Sequence, residues 1–337
     1  MYKVHIKNNH FAPDTFPNTK EGEEVFTITP ERFQSAATEY PEIANKMDVF
    51  FDWDTDNFVS SMAETEVLIC WNLPTENLSE VAPNLKWIHI IGAGVEHLTP
   101  MTWLPEGVTL TNNKGVHAAK GGEFGIMAIL MLHNRIPAIA DNQRTATYDS
   151  IYSTPIAGKV VVVVGVGSIG KSVAAHAQKM GLHVIGVTRH GNLIPEVDEM
   201  FSVSDLDTVL PRADFVFVVT PLTEDTRNLL DERRLGLLKK GAGLVNIGRA
   251  AVVDYNALVE KLEDGSMSGA ILDVFDPEPL PEDSRFWRTK NLMVMPHISA
   301  DDGNAYVPMT LKVIFENMQR LVNGEELQNR VNTELGY

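Results

Sequence analysis

Three residues in this chain carry side chains suited to acid–base work on a carbonyl group, and each stands just beyond a short apolar run. Arg249 follows GLVNIG, Glu278 follows GAILDVFDP and His297 follows NLMVMP. Adding a hydride to a ketone builds negative charge on its oxygen, so a protonated group must deliver a proton there; an imidazole titrating near neutrality can do this in both directions. His297 is the candidate. A carboxylate beside the imidazole favours its charged form and holds one ring nitrogen, which is the part read for Glu278. A substrate carboxylate needs a cation that stays charged and can polarise the neighbouring carbonyl, and Arg249 fits. Taken singly, each has a structural explanation: an ion-pair partner, a solvated loop acid, a helix-capping residue. Their common placement argues for chemistry, because ligands of open parallel sheets collect at the carboxyl ends of the strands.

A hydride needs a carrier, and KVVVVVGVGSIGKSV supplies a place for one. Gly165, Gly167 and Gly170 have GxGxxG spacing directly after a Val run and at the head of a helical stretch, with Ser168 and Ile169 between them. Such a turn lets a pyrophosphate approach the backbone at the positive end of a helix. The motif alone is weak, but strand, turn and helix come in the required order. The next strand, HVIGV, ends in Thr188, Arg189 and His190, with no acid to accept from a ribose 2′-hydroxyl. A hydroxyl, a fixed positive charge and a second donor suit a 2′-phosphate, so NADP is expected as the preferred cofactor, with NAD possible. The alternative is a solvated Arg189 beside an unselective site.

The elements that must position these residues can be read from periodicity. From about Lys159, β-branched runs at 160–164, 183–187, 214–219, 243–247, 268–272 and 292–295 alternate with helical stretches, the pattern of a doubly wound parallel sheet. Residues 2–111 show a shorter alternation, with strands expected at 25–28, 67–71 and 86–91 and helices near 31–46 and 77–82. A smaller α/β domain is therefore expected first. In 305–322, Leu311, Ile314, Phe315, Met318 and Leu321 form one helical stripe ending at Gly324. That helix either closes the second domain or, as preferred here, crosses back onto the first and makes it discontinuous. The segment 121–135, GGEFGIMAILMLHNR, is apolar around most of its circumference and is expected to be buried between domains or, better, between subunits of a dimer.

Composition removes other classes. With 337 residues, 44% hydrophobic and 22% charged, the chain reads as a globular protein of two domains. A net charge of −17 would repel nucleic acid and anionic membrane surfaces. Cys70 is the single cysteine, so no intramolecular disulfide can form, and its apolar setting suits a reducing compartment. The longest apolar runs are too short to span a bilayer and the first residues lack a signal-peptide pattern, so a soluble cytoplasmic protein without a metal site is expected.

At this point the chain resembles the D-isomer-specific 2-hydroxyacid dehydrogenase family. The resemblance runs through IGAGVEHL (91–98), TNNKGVHAAKGGEFGIMAILML (111–132), VVVVGVGSIGKSV (161–173), VVTPLTEDTRNLL (218–230), LVNIGRAAVVD (244–254), ILDVFDPEPLP (271–281) and MPHISA (295–300). It implies an α/β fold of two doubly wound domains, with the active site in the cleft between them. These are a Rossmann cofactor domain over 113–303 and a smaller flavodoxin-like substrate domain over 1–112 plus 304–337. It implies a homodimer built on the cofactor domains, and Arg249, Glu278 and His297 as the catalytic set. By the same analogy Asp273 holds the nicotinamide carboxamide, the backbone of Ala93, Gly94 and Val95 binds the substrate carboxylate, and Thr220, Pro221, Thr226 and Ile247 lie along the cofactor. Glu123 is read as a structural acid. His117 either lines the cofactor cleft or starts the helix.

Two departures from the family pattern stand out. Thr188 and Arg189 replace the common acid, a pattern similar to NADPH-preferring glyoxylate and hydroxypyruvate reductases. Asp301 and Asp302 follow His297 where small or hydroxyl residues are frequent; they either cap the final helix or shape the substrate end of the cleft. The leading expectation is a reductase of a small 2-ketoacid yielding the D-hydroxy acid. The alternative is a nucleotide-sensing, corepressor-like interaction protein on the same fold. Oxidation of formate is disfavoured, since a glutamine would be expected at Glu278. Trp53, Trp71, Trp87, Trp103 and Tyr306 are possible pocket liners, with core packing the default for most.

Overall fold

The structure, a computed structural model, describes residues 1–11, 15, 17 and 19–337. It divides into two compact units, Met1–Val116 with Asp302–Tyr337, and His117–Asp301.

The smaller unit is built on a five-stranded sheet of β1 (Tyr2–Asn8), β2 (Met47–Trp53), β3 (Val67–Cys70), β4 (Trp87–Ile90) and β5 (Thr109–Asn112), in the order β2-β1-β3-β4-β5. All pairs are parallel. Every side chain of β3 and β4 is buried, the polar His89 included, as strands covered by helices on both faces require. One face packs on Phe26, Phe33 and Ile43 and on Leu311, Ile314, Phe315 and Met318 of the helix Tyr306–Asn323. The other packs on Phe58, Met62, Leu78 and Leu85. The long helix stops where Gly324 takes a φ of 71°, a left-handed conformation that ends helices.

The strand expected at 25–28 is not one: Val25 and Phe26 close the helix Lys20–Phe26. A short apolar run fits either element by periodicity, and here the start of the helix decides. Thr19 accepts from the Gly22 N–H at 3.0 Å, and Glu21 and Glu23 favour the positive end. β1, β2 and β5 were not legible. β1 buries His5 and Lys7 among its apolar residues, so its pattern does not announce a strand.

The larger unit holds a seven-stranded parallel sheet. It comprises β6 (Val160–Val164), β7 (His183–Thr188), β8 (Glu199–Ser202), β9 (Phe215–Val218), β10 (Ala242–Asn246), β11 (Met267–Leu272) and β12 (Leu292–Val294), ordered β12-β11-β10-β9-β6-β7-β8. Six of these sit on the apolar runs read from sequence; β8 is a partly exposed edge strand, EMFS, with no such run. Strand order reverses between β6 and β9, which opens a crevice at their carboxyl ends.

The helix Ala118–His133 lies against the helix Ser168–Lys179 at van der Waals distance because Gly122 meets Ser172 and Gly125 meets Val173 and Phe217. Phe124, Ala128, Ile129 and Leu132 are buried. Its other side carries Ile126, Met127, Leu130 and Met131, which with Ile136 line an open apolar trough; Met127 is 41% exposed. Among the described residues no helix is long and apolar enough to cross a membrane.

Candidate functional site

Arg249, Glu278 and His297 lie beyond the carboxyl ends of β10, β11 and β12, three neighbours in the sheet. His297 Nδ1 donates to Glu278 Oε2 at 2.7 Å, and the other carboxylate oxygen, Oε1, accepts from the Phe275 N–H at 2.6 Å. Burial alone would lower the His297 pKa, but the hydrogen bond and negative charge of Glu278 outweigh it, and the imidazole is raised above its ordinary value. Burial likewise pushes Glu278 up, yet the His297 hydrogen bond and charge, the Phe275 N–H and the Arg249 charge bring it below the usual carboxylate range. Arg249 is felt at both partners: it opposes protonation of His297 and stabilises the Glu278 anion. The structure therefore brings the three together electrically as well as topologically.

Supports for this set were not visible as such in the sequence. His297 has a φ of 56°, a left-handed conformation that a non-glycine residue adopts only under constraint. The constraint comes from Asp273, whose carboxylate accepts from the N–H groups of Ile298 at 3.0 Å and Ser299 at 3.2 Å. Under Arg249, the buried Asn246 amide donates to the Arg249 carbonyl at 3.1 Å and to the Tyr255 hydroxyl at 2.9 Å, and accepts from the Gly248 N–H at 3.0 Å. The Tyr255 hydroxyl donates onward to the Val274 carbonyl at 2.9 Å. A polar residue closing an otherwise apolar strand, as Asn246 closes β10, was the available signal, since a buried amide must be hydrogen-bonded.

The glycine turn fits a dinucleotide. Gly165 takes a φ of 97°, and an added Cβ there would lie 2.8 Å from the backbone of Val219 and Thr220 beyond β9. A Cβ at Gly170 would collide with the Gly165 carbonyl. At Gly167, by contrast, a Cβ would meet nothing within 4 Å, so the turn is tight on the protein side and open outward at the head of the helix Ser168–Lys179. This is the crevice at the strand-order reversal. At the end of β7, Thr188 Oγ1 accepts from the Gly191 N–H at 3.1 Å, and Arg189 donates to Asp225 Oδ2 at 3.1 Å. Asp225 is thus an acid beside the Thr188–His190 turn that the sequence did not place there; its side chain is 78% exposed, so the pair is weak. In the loop after β9, Thr226 Oγ1 donates to the Pro221 carbonyl at 2.7 Å and accepts from the Thr223 N–H at 2.7 Å, which fixes the turn that carries Thr220 and Pro221. Ile247 is buried just beyond β10.

In the smaller unit the loop after β4 contains Ala93, Gly94 and Val95. Among the described residues, the N–H groups of Gly92, Ala93, Gly94 and Val95 donate to no protein acceptor, whereas the carbonyls of Ile91, Gly92, Ala93 and Val95 all accept. Trp71 packs against Gly92 and stacks on His97 at 5.5 Å, whereas Trp87 and Tyr306 belong to the core, as the default reading had it. Trp53 stacks on His10 at 4.3 Å, and Trp103 donates to the Leu98 carbonyl at 2.8 Å.

The two acids after His297 separate. Asp302 Oδ1 accepts from the N–H groups of Asn304 and Ala305 at 2.9 and 2.8 Å, just ahead of the final helix, and Asp301 pairs with His117 at 3.3 Å. His117 stands at the start of the helix Ala118–His133, and its Nδ1 also lies 3.2 Å from the Ala300 carbonyl. Glu123 is an exposed acid paired with Lys120 at 3.3 Å. No group of three or more metal-ligating side chains occurs among the described residues.

The family model described as D-isomer specific 2-hydroxyacid dehydrogenase, NAD binding domain, matches residues 126–299. A glyoxylate reductase of Thermofilum pendens is 30% identical over 84% of this chain and 87% of its own. The crystal structure of a D-isomer specific 2-hydroxyacid dehydrogenase from Xanthobacter autotrophicus, in complex with NADPH and MES, superposes with a TM-score of 0.81 at 26% identity, covering 100% of this chain and 99% of that one. An NADPH-dependent glyoxylate/hydroxypyruvate reductase from Sinorhizobium meliloti, in complex with NADP and sulfate, gives a TM-score of 0.80 at 25% identity, covering 100% of both chains.

Proposed function

Since the chain belongs to the D-isomer-specific 2-hydroxyacid dehydrogenase family, and so is an NAD(P)-dependent oxidoreductase, we propose that it reduces a small 2-ketoacid of the glyoxylate and hydroxypyruvate type to the D-hydroxy acid, with NADPH preferred. The observation that carries this reading is the 2.7 Å contact between His297 and Glu278 on a dinucleotide scaffold. When bound, the reduced nicotinamide supplies the hydride that reaches the keto carbon. His297 as imidazolium gives its proton to the keto oxygen, while Glu278 holds Nδ1–H and so leaves Nε2 as the delivering atom. Arg249 pairs with the substrate carboxylate and draws charge from the adjacent carbonyl. The N–H groups of Ala93, Gly94 and Val95 are assigned to the same carboxylate. Gly165, Gly167, Ser168, Ile169 and Gly170 would hold the pyrophosphate, and Thr188, Arg189 and His190 the 2′-phosphate. Thr220, Pro221, Thr226 and Ile247 would flank the cofactor, with Asp273 at the nicotinamide end.

The test is oxidation of NADPH and NADH against glyoxylate, hydroxypyruvate, pyruvate and larger 2-ketoacids. Turnover favouring NADPH is expected, and Arg189→Ala should lower kcat/KM for NADPH by about tenfold or more, the worth of a charge-assisted hydrogen bond, while leaving NADH nearly unchanged. A clear NADH preference in the wild type would end the NADP assignment, and silence across the panel would end the reductase reading.

Glu278→Gln should move the upper limb of the pH profile for reduction to lower pH. Reduction needs imidazolium, Glu278 raises the His297 pKa, and its loss lets that pKa fall, so protonated enzyme disappears at lower pH. An unmoved profile would remove the pairing from the mechanism.

The apolar trough of Ile126, Met127, Leu130, Met131 and Ile136 is assigned to a homodimer built on the larger unit. Sedimentation at the mass of two chains is expected; a monomer would refute it. The single cysteine, Cys70, is buried, and burial pushes its thiol pKa up to about 12, which leaves it unreactive.

A further inference from the structure

The loop that follows β4 is anchored by the buried side chains of Ile91 and Val95 and by the Ile91 N–H on the Cys70 carbonyl at 2.9 Å, and beyond that its carbonyls are held by groups brought from elsewhere in the smaller unit. The Ile91 carbonyl accepts from both the Asn113 amide and the Tyr306 hydroxyl. The Asn113 backbone N–H donates to the Gly92 carbonyl at 3.0 Å, and the Asn112 amide to the Ala93 carbonyl at 2.7 Å. Leu98 N–H closes the far side on the Val95 carbonyl at 3.0 Å. With these four carbonyls engaged, the N–H groups of Gly92 to Val95 and the Gly94 carbonyl are the groups left without a protein partner among the described residues.

Behind Ile91 lies a buried chain of hydrogen bonds whose direction can be worked out. Asn113 must turn Nδ2 to the Ile91 carbonyl, which only accepts, so its Oδ1 faces His89 Nε2 at 3.1 Å and accepts from it. Burial lowers the His89 pKa to about 4, so near neutrality the ring carries one proton, on Nε2. Nδ1 then accepts from Thr111 Oγ1 at 2.9 Å, and Thr111 Oγ1 accepts from Trp87 Nε1 at 2.8 Å. Asn113 also donates to Thr310 Oγ1 at 2.7 Å, and Thr310 donates to the Tyr306 carbonyl at 2.8 Å, tying the final helix to the same point. His89, Thr111 and Asn113 are wholly buried, and a buried polar chain with every member paired admits one arrangement. A chain that specific is more than packing needs: apolar side chains would fill the same space without desolvating an imidazole and an amide.

We propose that Asn112, Asn113 and Tyr306 are positioning residues for substrate: by holding the carbonyls of Ile91, Gly92 and Ala93 they keep the loop's N–H groups turned out to receive the carboxylate of the 2-ketoacid. This rests on the reductase reading above. The three residues touch no reacting atom; they remove the cost of ordering the loop's donors at the moment of binding.

The test measures oxamate, a 2-ketoacid mimic, binding to the NADPH-loaded enzyme by calorimetry, together with kcat, KM and melting temperature. It uses wild type, Asn112→Ala and Tyr306→Phe. In either variant the oxamate Kd and the ketoacid KM should rise about fivefold to tenfold, the worth of one hydrogen bond, with kcat and the NADPH Kd changing less than about twofold. Tyr306→Phe loses one hydroxyl only, so it carries the test should Asn112→Ala fail to fold. A lowered melting temperature with an unmoved oxamate Kd in the folded variants would overturn the proposal, as would a wild type that does not bind oxamate. If oxamate binds wild type, weakens in the variants, and yet no ketoacid is turned over, the loop assignment stands and the reductase reading falls.

Discussion

His297→Asn is expected to lower kcat for ketoacid reduction by about a hundredfold to ten-thousandfold, the range for losing a positioned general acid, while KM changes little. Asparagine occupies similar space and can still hydrogen-bond Glu278, so the turn held by Asp273 should survive. What disappears is a proton that can be given up and recovered. The hydride cannot add to the keto carbon unless the charge arising on oxygen is neutralised, and water is a poorer donor than an imidazolium whose pKa the Glu278 carboxylate has raised. The remaining activity should also lose the pH dependence assigned to His297. Initial rates over a pH series measure both, and a variant with wild-type kcat would remove His297 from the mechanism.

Arg249→Ala should reduce kcat/KM by about a hundredfold or more, through both a higher KM and a lower kcat. The dual effect follows from two jobs performed by one cation. Pairing with the substrate carboxylate acts in ground and transition states alike and enters KM; drawing charge from the developing alkoxide acts only as the reaction proceeds and enters kcat. A further consequence separates this residue from a purely structural one. Arg249 opposes protonation of His297, so its removal should raise the His297 pKa and shift the upper limb of the reduction profile to higher pH, opposite to Glu278→Gln. Lysine at this position would restore charge without the planar fork, and partial recovery of KM alone is expected. Unchanged KM in Arg249→Ala would assign the carboxylate to other donors.

The two variants probe residues whose roles were legible at different depths. Arg249, Glu278 and His297 could be found because each follows a continuous apolar strand, and such strands, buried on both faces, announce themselves by composition. The glycine turn was legible for a related reason: a Cβ at Gly170 would strike the Gly165 carbonyl five positions earlier, a constraint that short-range spacing reveals. β1 hid because it buries His5 and Lys7, β8 because an exposed edge strand needs few apolar residues, and 25–28 was misjudged because a cap at Thr19 outweighed a run of apolar residues.

By itself, then, the sequence determined the class of chemistry, the dinucleotide turn, the doubly wound alternation and the strand ends that bear Arg249, Glu278 and His297. These are local properties, set by spacing, side-chain type and the need of a parallel strand to be covered. Only the tertiary structure decided that Asp225 stands beside Arg189, that Asp302 holds the turn ahead of the final helix while Asp301 pairs with His117, that Asp273 clamps the left-handed turn at His297, and that Tyr306 reaches the Ile91 carbonyl. Tyr306 and Ile91 are 215 positions apart in the chain. Their meeting depends on how helices settle on a sheet, which no periodicity along the chain encodes.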